Sequence, residues 1–284
     1  MTEVVETSIG RLVSRRSPTS VVLREVRAAV GVIDLVAVNF DNDALGARIC
    51  AGLAPVTLPL RVRVLDALGG RTLRVSTLAR RIGRNPEALM RSTVKPLIEL
   101  GALDMSHGEK VAATGAWRPV TSRLTAVELK LAKWRVALRQ ADNAALSADA
   151  AWVVLDRAKA GTATAAVDLF REYGVGLATV EPSGELTVNC RPRGRRTIRW
   201  LHAWMGELAW AAVRGGVETE CADCLHQRSP SVEKAGGDSA QQDAREPIAE
   251  RNGVVETVAH ATCPFGQRQA RELVAKFKTD ANLM

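Results

Sequence analysis

Two apolar, strand-like runs carry charge in their interiors, and a segment of different character separates them. The first, Val32-Ile33-Asp34-Leu35-Val36-Ala37-Val38, holds one acid among aliphatic and β-branched residues. The second, Leu124-Thr125-Ala126-Val127-Glu128-Leu129-Lys130-Leu131, holds an acid and a base two positions apart. A carboxylate inside a sheet is costly unless something pairs with it. Any fold for this chain must therefore bring partners to Asp34, Glu128 and Lys130. Residues i and i+2 of a strand share a face, so Glu128 and Lys130 point together while Leu129 packs on the other side.

The surrounding pattern is one of strands alternating with helices. Val21 to Ala28 and Val32 to Val38, with Gly31 between them, read as a hairpin. After the second charged run the periodicity predicts a helix over 133–147, a buried strand over 151–155 and a helix over 165–173 stopped by Gly174. A strand over 175–180, a turn at Pro182-Ser183-Gly184 and a return strand through Val188 follow. The last amphipathic helix, 197–213, spaces Trp200, Trp204 and Trp210 for a core-facing stripe. This alternation predicts an α/β domain built from residues 1–54 and 121–213.

Residues 58–118 interrupt it. Leu58 to Leu68 has helical periodicity and ends at Gly69-Gly70; Val75 to Gly83 reads as a short helix. Asn85-Pro86 supplies a cap and a helix-opening proline for a third helix reaching Gly101, with Pro96 expected to kink or shorten it. Residues 102–115 have strand–turn–strand character around His107-Gly108. Thr77-Leu78-Ala79-Arg80-Arg81-Ile82-Gly83 and Leu97-Ile98-Glu99-Leu100-Gly101-Ala102-Leu103, in this order of elements, resemble a winged helix-turn-helix. The resemblance implies that the helix from Pro86 enters the major groove of duplex DNA, with Arg84, Arg91, Ser92 and Lys95 on its polar side. A winged helix used only for protein contacts is the plainer alternative.

The charged strands carry a second resemblance. Asp34, then Glu128-Leu129-Lys130, then Gln140 in the following helix Trp134-Arg135-Val136-Ala137-Leu138-Arg139-Gln140-Ala141, resemble the PD-(D/E)XK nuclease superfamily. That likeness implies a mixed central sheet flanked by helices and a metal-dependent deoxyribonuclease. Asp34 and Glu128 would ligate Mg²⁺ or Mn²⁺, with the Leu129 carbonyl available to help. Lys130 would position or deprotonate the attacking water, and Gln140 would orient water or contact the phosphate. Ile33 stands where the family has proline, and the long interval between Asp34 and Glu128 is filled by the inserted segment. Asp41 or Asp43 replaces Asp34 if the strand register differs, and Glu3, Glu6 or Glu25 could supply the additional glutamate of many members. The same residues could equally remain as structural relics on an inactive scaffold. The chain would then be a non-enzymatic winged-helix regulator whose α/β domain serves dimerisation, or a protein-interaction module. A homodimer is compatible with each of these.

The 284 residues carry 39 Lys+Arg against 31 Asp+Glu, a net charge of +8. Residues 1–213 hold +10 of it and residues 58–118 hold +6, while 214–284 are mildly acidic. The basic bias suits DNA, although 31 of the 39 bases are Arg, a bias that codon usage alone could produce. The loop Arg191-Pro192-Arg193-Gly194-Arg195-Arg196 reads as a phosphate contact or a solvated loop. Residues 214–253 read as a flexible linker, with a helix resuming over 268–277. Within that tail Cys221-Ala222-Asp223-Cys224, with His226, His260 or Cys263, has zinc-ligand spacing. The odd count of five cysteines argues against a disulfide framework. No apolar run long enough to span a bilayer and no signal-peptide layout occur, so a cytoplasmic protein is expected. Phosphate loops, Ser–His–Asp arrangements and His-Glu-x-x-His motifs are absent as well.

Overall fold

The structure, a computed structural model, describes residue 12 and residues 20–28, 31–106, 108–194 and 197–214. Strands β1 (Ser20–Ala28) and β2 (Gly31–Phe40) form the expected hairpin, and helix α1 (Asn42–Cys50) follows. The inserted unit then comprises α2 (Pro59–Leu68), β3 (Leu73–Arg74), α3 (Val75–Ile82), α4 (Pro86–Leu89), α5 (Lys95–Glu99), β4 (Leu103–Ser106) and β5 (Lys110–Ala113). The chain returns through β6 (Thr121–Lys130), α6 (Trp134–Ala144), β7 (Ala150–Asp156), α7 (Gly161–Ala165), α8 (Val167–Glu172), β8 (Gly176–Val180), β9 (Leu186–Cys190) and α9 (Arg199–Arg214).

Six strands make one mixed sheet in the order β1-β2-β6-β7-β8-β9. The β6–β7 and β7–β8 pairs are parallel and are joined through helices, as parallel neighbours must be. The other three pairs are antiparallel. Both faces of the sheet are covered near its middle, which is why its strands read as near-continuous apolar runs. On one face α6 packs Ala137, Leu138 and Ala141 onto Ala151, Val153 and Leu155. Beside it, the second half of α9 packs Met205, Ala209 and Trp210 onto Val36, Val38 and Leu124. The opposite face buries Leu35, Ala37, Val127, Leu129, Trp152 and Val154 with Leu12. Gly206 lets α9 approach the start of β6, because a Cβ there would collide with Thr121.

The inserted unit has its own core. Leu65 and Leu68 of α2, Leu78 of α3, Leu89 of α4, Leu97 of α5 and Val111 of β5 meet over a small sheet ordered β3-β5-β4. Leu201, Ala203 and Trp204 from the first half of α9 join this core, so α9 serves both units. Trp204 Nε1 also donates to Thr57 O at 2.6 Å in the connector. Arg48 and Glu207, both fully buried, lie between the two cores as an ion pair of 2.8 Å.

Three local outcomes differ from the sequence expectations. Helix α1 was not expected; Asp41 caps it by accepting from the Asp43 and Ala44 N–H groups at 3.1 and 3.0 Å. The helix expected over 165–173 is α8, and a further short helix, α7, which was not expected, precedes it and ends at Ala165. Pro96 lies in the first turn of a short helix that continues to Glu99, not in the interior of one long helix. A π-helical turn, Met90–Val94, precedes it, and the Lys95 N–H reaches back to Met90 O. Proline has no N–H and its ring crowds the preceding turn; the wider turn accommodates both, and Ser92 Oγ donates to Ala88 O at 2.8 Å.

Asn85 caps α4 as the sequence predicts, its Oδ1 accepting from the Glu87 and Ala88 N–H groups at 2.9 and 3.1 Å. Asn85→Ala should therefore lower stability by about 1 kcal/mol in urea unfolding. An unchanged midpoint would mean that solvent satisfies those amides equally well.

Candidate functional site

The β2–β6 ladder brings the two charged runs together. Its register runs from Val38↔Leu124 to Leu35↔Val127, so one further step places Asp34 opposite Glu128. The ladder does not take that step. Instead Asp34 Oδ2 accepts from the Leu129 N–H at 2.8 Å and from Lys130 Nζ at 2.9 Å. A carboxylate has replaced a backbone acceptor, and β2 parts from β6 at this point.

The parting extends into β1. Ile33 packs with Val36 and Val38, whereas Leu35 and Ala37 belong to the opposite face, so the in–out alternation slips at Asp34. On β1 the ladder skips one pair, Glu25 and Asp34, between Arg24↔Leu35 and Val26↔Ile33. Glu25 has φ of 49°, a left-handed conformation that a non-glycine residue adopts at a cost. Two unpaired residues thus face each other beside the buried acid, and strain of this kind often gathers at functional sites.

Glu128 is the most constrained member of the cluster. It is 1 % exposed and is paired along the sheet with Val153, which lies under α6. Lys130 Nζ stands 3.6 Å from its Oε2, too far for a hydrogen bond, and that oxygen has no hydrogen-bond partner. Burial, reinforced by the neighbouring Asp34 charge and opposed by Lys130, pushes its pKa up to about 8. A second buried oxygen without a partner is Gln140 Oε1 on α6. Gln140 lies one turn from Ala144, which packs with Val36 and Ala126, the residues two positions from Asp34 and Glu128 on their strands. No hydrogen bond joins Gln140 to Asp34, Glu128 or Lys130 among the described residues.

The chemistry of this donor set suits a hard cation in part. Two carboxylates, one with an unsatisfied buried oxygen, and a nearby amide oxygen are the oxygen ligands that Mg²⁺ prefers. Among the described residues no group of three or more His, Cys, Asp or Glu converges on a metal position. Any cation there would complete its shell with water, a backbone carbonyl or Gln140.

The remaining sequence candidates fall into place or outside it. Asp41 is occupied as the α1 cap and Asp43 stands in the first turn of that helix, so Asp34 is the acid that meets Glu128. Glu25 is exposed on β1 and joins no such acidic group. Glu3, Glu6, Cys221, Cys224, His226, His260 and Cys263 lie outside the described residues, as do Arg195 and Arg196. Arg84, Arg91, Ser92 and Lys95 are all exposed, Arg91 and Ser92 within the π turn and Lys95 directly after it. Trp204 and Trp210 are core residues and Trp200 packs partly buried against the inserted unit. No described helix is long and apolar enough to cross a membrane.

Sequence reasoning missed the Arg48–Glu207 pair and the paired break at Glu25 and Asp34. The only signal for the pair was a glutamate among the tryptophans of an amphipathic helix. Nothing in the sequence marked the break. Comparison of the chain with protein-family models, with curated proteins and with solved structures finds no match.

Proposed function

We propose that the chain binds duplex DNA and hydrolyses its phosphodiester bonds with Mg²⁺ or Mn²⁺. In this reading a PD-(D/E)XK-like sheet carries an inserted winged helix. The observation that supports it most is the buried Glu128 carboxyl, with an unpartnered oxygen, held opposite Asp34 and beside Lys130. A buried carboxyl oxygen without a partner is costly, and a bound cation would satisfy it. Asp34 and Glu128 would hold the cation, and Gln140 would orient a water or a phosphate oxygen. Bound there, Mg²⁺ supplies Lewis-acid stabilisation to the attacking and leaving oxygens. Lys130 donates from Nζ to the incoming water and faces the negative charge that grows on the phosphoryl oxygens. One O–P bond forms from water and one P–O bond breaks; the water's proton passes to solvent and the departing oxygen takes one up.

One observation favours a second reading. Lys130 and the Leu129 N–H already satisfy Asp34 Oδ2, as they would in a cluster kept only to close the sheet. The chain would then be a DNA-binding regulator without catalysis. Incubation of plasmid and linear DNA with Mg²⁺ or Mn²⁺ separates the two. Cleavage by the intact chain should fall by about 10²-fold or more in Glu128→Ala and in Lys130→Ala. Cleavage that survives both substitutions removes the site from the reaction, and salt-dependent binding without any cleavage leaves the regulator.

A further inference from the structure

Helix α6, 11 residues and about 16 Å long, lies on the sheet between the acidic cluster and the strand end that carries the inserted unit. It begins four residues after Lys130. Beyond its other end Ala148 packs with Val120 and Leu124, and the Asp149 N–H donates to Leu124 O at 2.9 Å. The inserted unit is attached at that second end, where Phe40 pairs with Thr121. From Thr121 to Glu128 is seven residues of strand, about 23 Å at about 3.3 Å per residue. A duplex that touches both units must cover that interval, about 7 base pairs at about 3.4 Å each.

The first half of α6, nearest the acidic cluster, is basic, and one acid, Asp142, lies a turn beyond Arg139. Lys133, Arg135 and Arg139 are exposed on α6 or directly before it. Arg135 and Arg139 are one turn apart, about 6 Å, and share a side of the helix. Three exposed arginines elsewhere on the sheet domain pair with acids, Arg157 with Glu181, Arg171 with Asp168 and Arg199 with Asp66, whereas the exposed Arg27, Arg123, Arg191 and Arg193 have no such ion pair among the described residues. None of the three α6 bases has such a partner among the described residues. The Arg135 guanidinium stacks 4.4 Å from the Trp134 ring centre, which fixes its plane and leaves its N–H groups for an anion. An unpaired, partly immobilised row of guanidinium groups is what a phosphate backbone recruits.

We propose that the outer side of α6 is a phosphate-backbone track that holds one duplex between α4 and the Asp34–Glu128–Lys130 cluster. It rests on the DNA-binding reading above and adds a surface to it. The track makes the contact length-dependent: a short duplex seats on the inserted unit alone, and a long one also lies along α6.

The test uses the full chain, mixed-sequence duplexes of about 10 and about 30 base pairs, and binding measured across a salt series. Arg135→Glu/Arg139→Glu should weaken binding of the long duplex at least tenfold and reduce the salt slope by about 2, at about 0.9 per phosphate contact. Binding of the short duplex should change less than twofold. Arg157→Glu/Arg171→Glu, an equal change of net charge elsewhere, should leave both nearly as they were. Equal loss on both duplexes, or a loss matched by the control, overturns the track while DNA binding stands. A wild-type chain that binds neither duplex defeats the DNA-binding reading itself, and the track with it.

Discussion

Glu207→Ala is expected to lower the stability of the chain by about 3–5 kcal/mol in urea unfolding. The carboxylate meets Arg48 through two bonds, Nη1 to Oε1 at 2.8 Å and Nη2 to Oε2 at 3.1 Å, and also accepts from the Val56 N–H at 2.7 Å. Arg48 in turn donates to Ala54 O and Arg118 O, one in each connector between the sheet and the inserted unit. Its guanidinium lies between the rings of Trp117 and Trp210, 4.3 and 4.7 Å from their centres. Removing Glu207 leaves a charge that cannot ionise away, in a place water does not reach. The pair as such adds less than its removal costs, because burial of both groups opposes its attraction. Arg48→Met/Glu207→Leu should therefore stand within about 2 kcal/mol of wild type. A Glu207→Ala loss below about 1 kcal/mol would show that Arg48 finds another counterion or reaches solvent. Because this pair ties both connectors to α9, the two cores should unfold in one transition, and Glu207→Ala should separate them into two.

The features legible in the sequence were those set by local periodicity. The two charged strands could be recognised because an acid stands out in a run such as Ile33-Asp34-Leu35, and their pairing follows because such acids need partners. The βαβ order from β6 to β8 and the element order of the insertion follow from apolar spacing and from Gly69, Gly83 and Asn85 at helix ends. The clasp could not be read in this way. Arg48 and Glu207 are 159 residues apart, and each sits in an amphipathic helix where a charge ordinarily marks the solvent side. The break at Glu25 and Asp34 also has no sequence signal, since left-handed backbone at a glutamate arises from the neighbouring strand rather than from the residue. Pro96 was legible as a disturbance, but whether the helix would bend or widen depended on Ser92 and on the packing of Val94 and Leu97.

The candidate site carries a pH signature that needs neither DNA nor cleavage to observe. The Glu128 carboxyl titrates near its ordinary 4.5 when the chain is unfolded and near 8 when folded, mainly because burial disfavours its anion. Between these values the folded chain holds a proton that the unfolded chain has lost, so stability must fall as pH rises. The contribution is fully present below about 4.5, is lost progressively up to about 8, and amounts to at most about 5 kcal/mol at 1.36 kcal/mol per unit. Glu128→Gln keeps the shape and cannot ionise. Measured as the difference between the two proteins, which cancels the other carboxylates, the variant should gain on wild type steadily from pH 5 to 8 and then level off. A flat difference would mean that Glu128 is ionised in the folded chain throughout, with Lys130 fully compensating its burial. A divalent cation reverses the trend only if it sits on this carboxylate. At pH 8.5, Mg²⁺ or Mn²⁺ in millimolar excess should raise the midpoint of wild type and leave Glu128→Gln unmoved, because a ligand stabilises only the folded form that binds it. Equal stabilisation of both proteins would place the cation elsewhere and leave Asp34, Glu128 and Lys130 as a cluster that closes the end of β2 against β6.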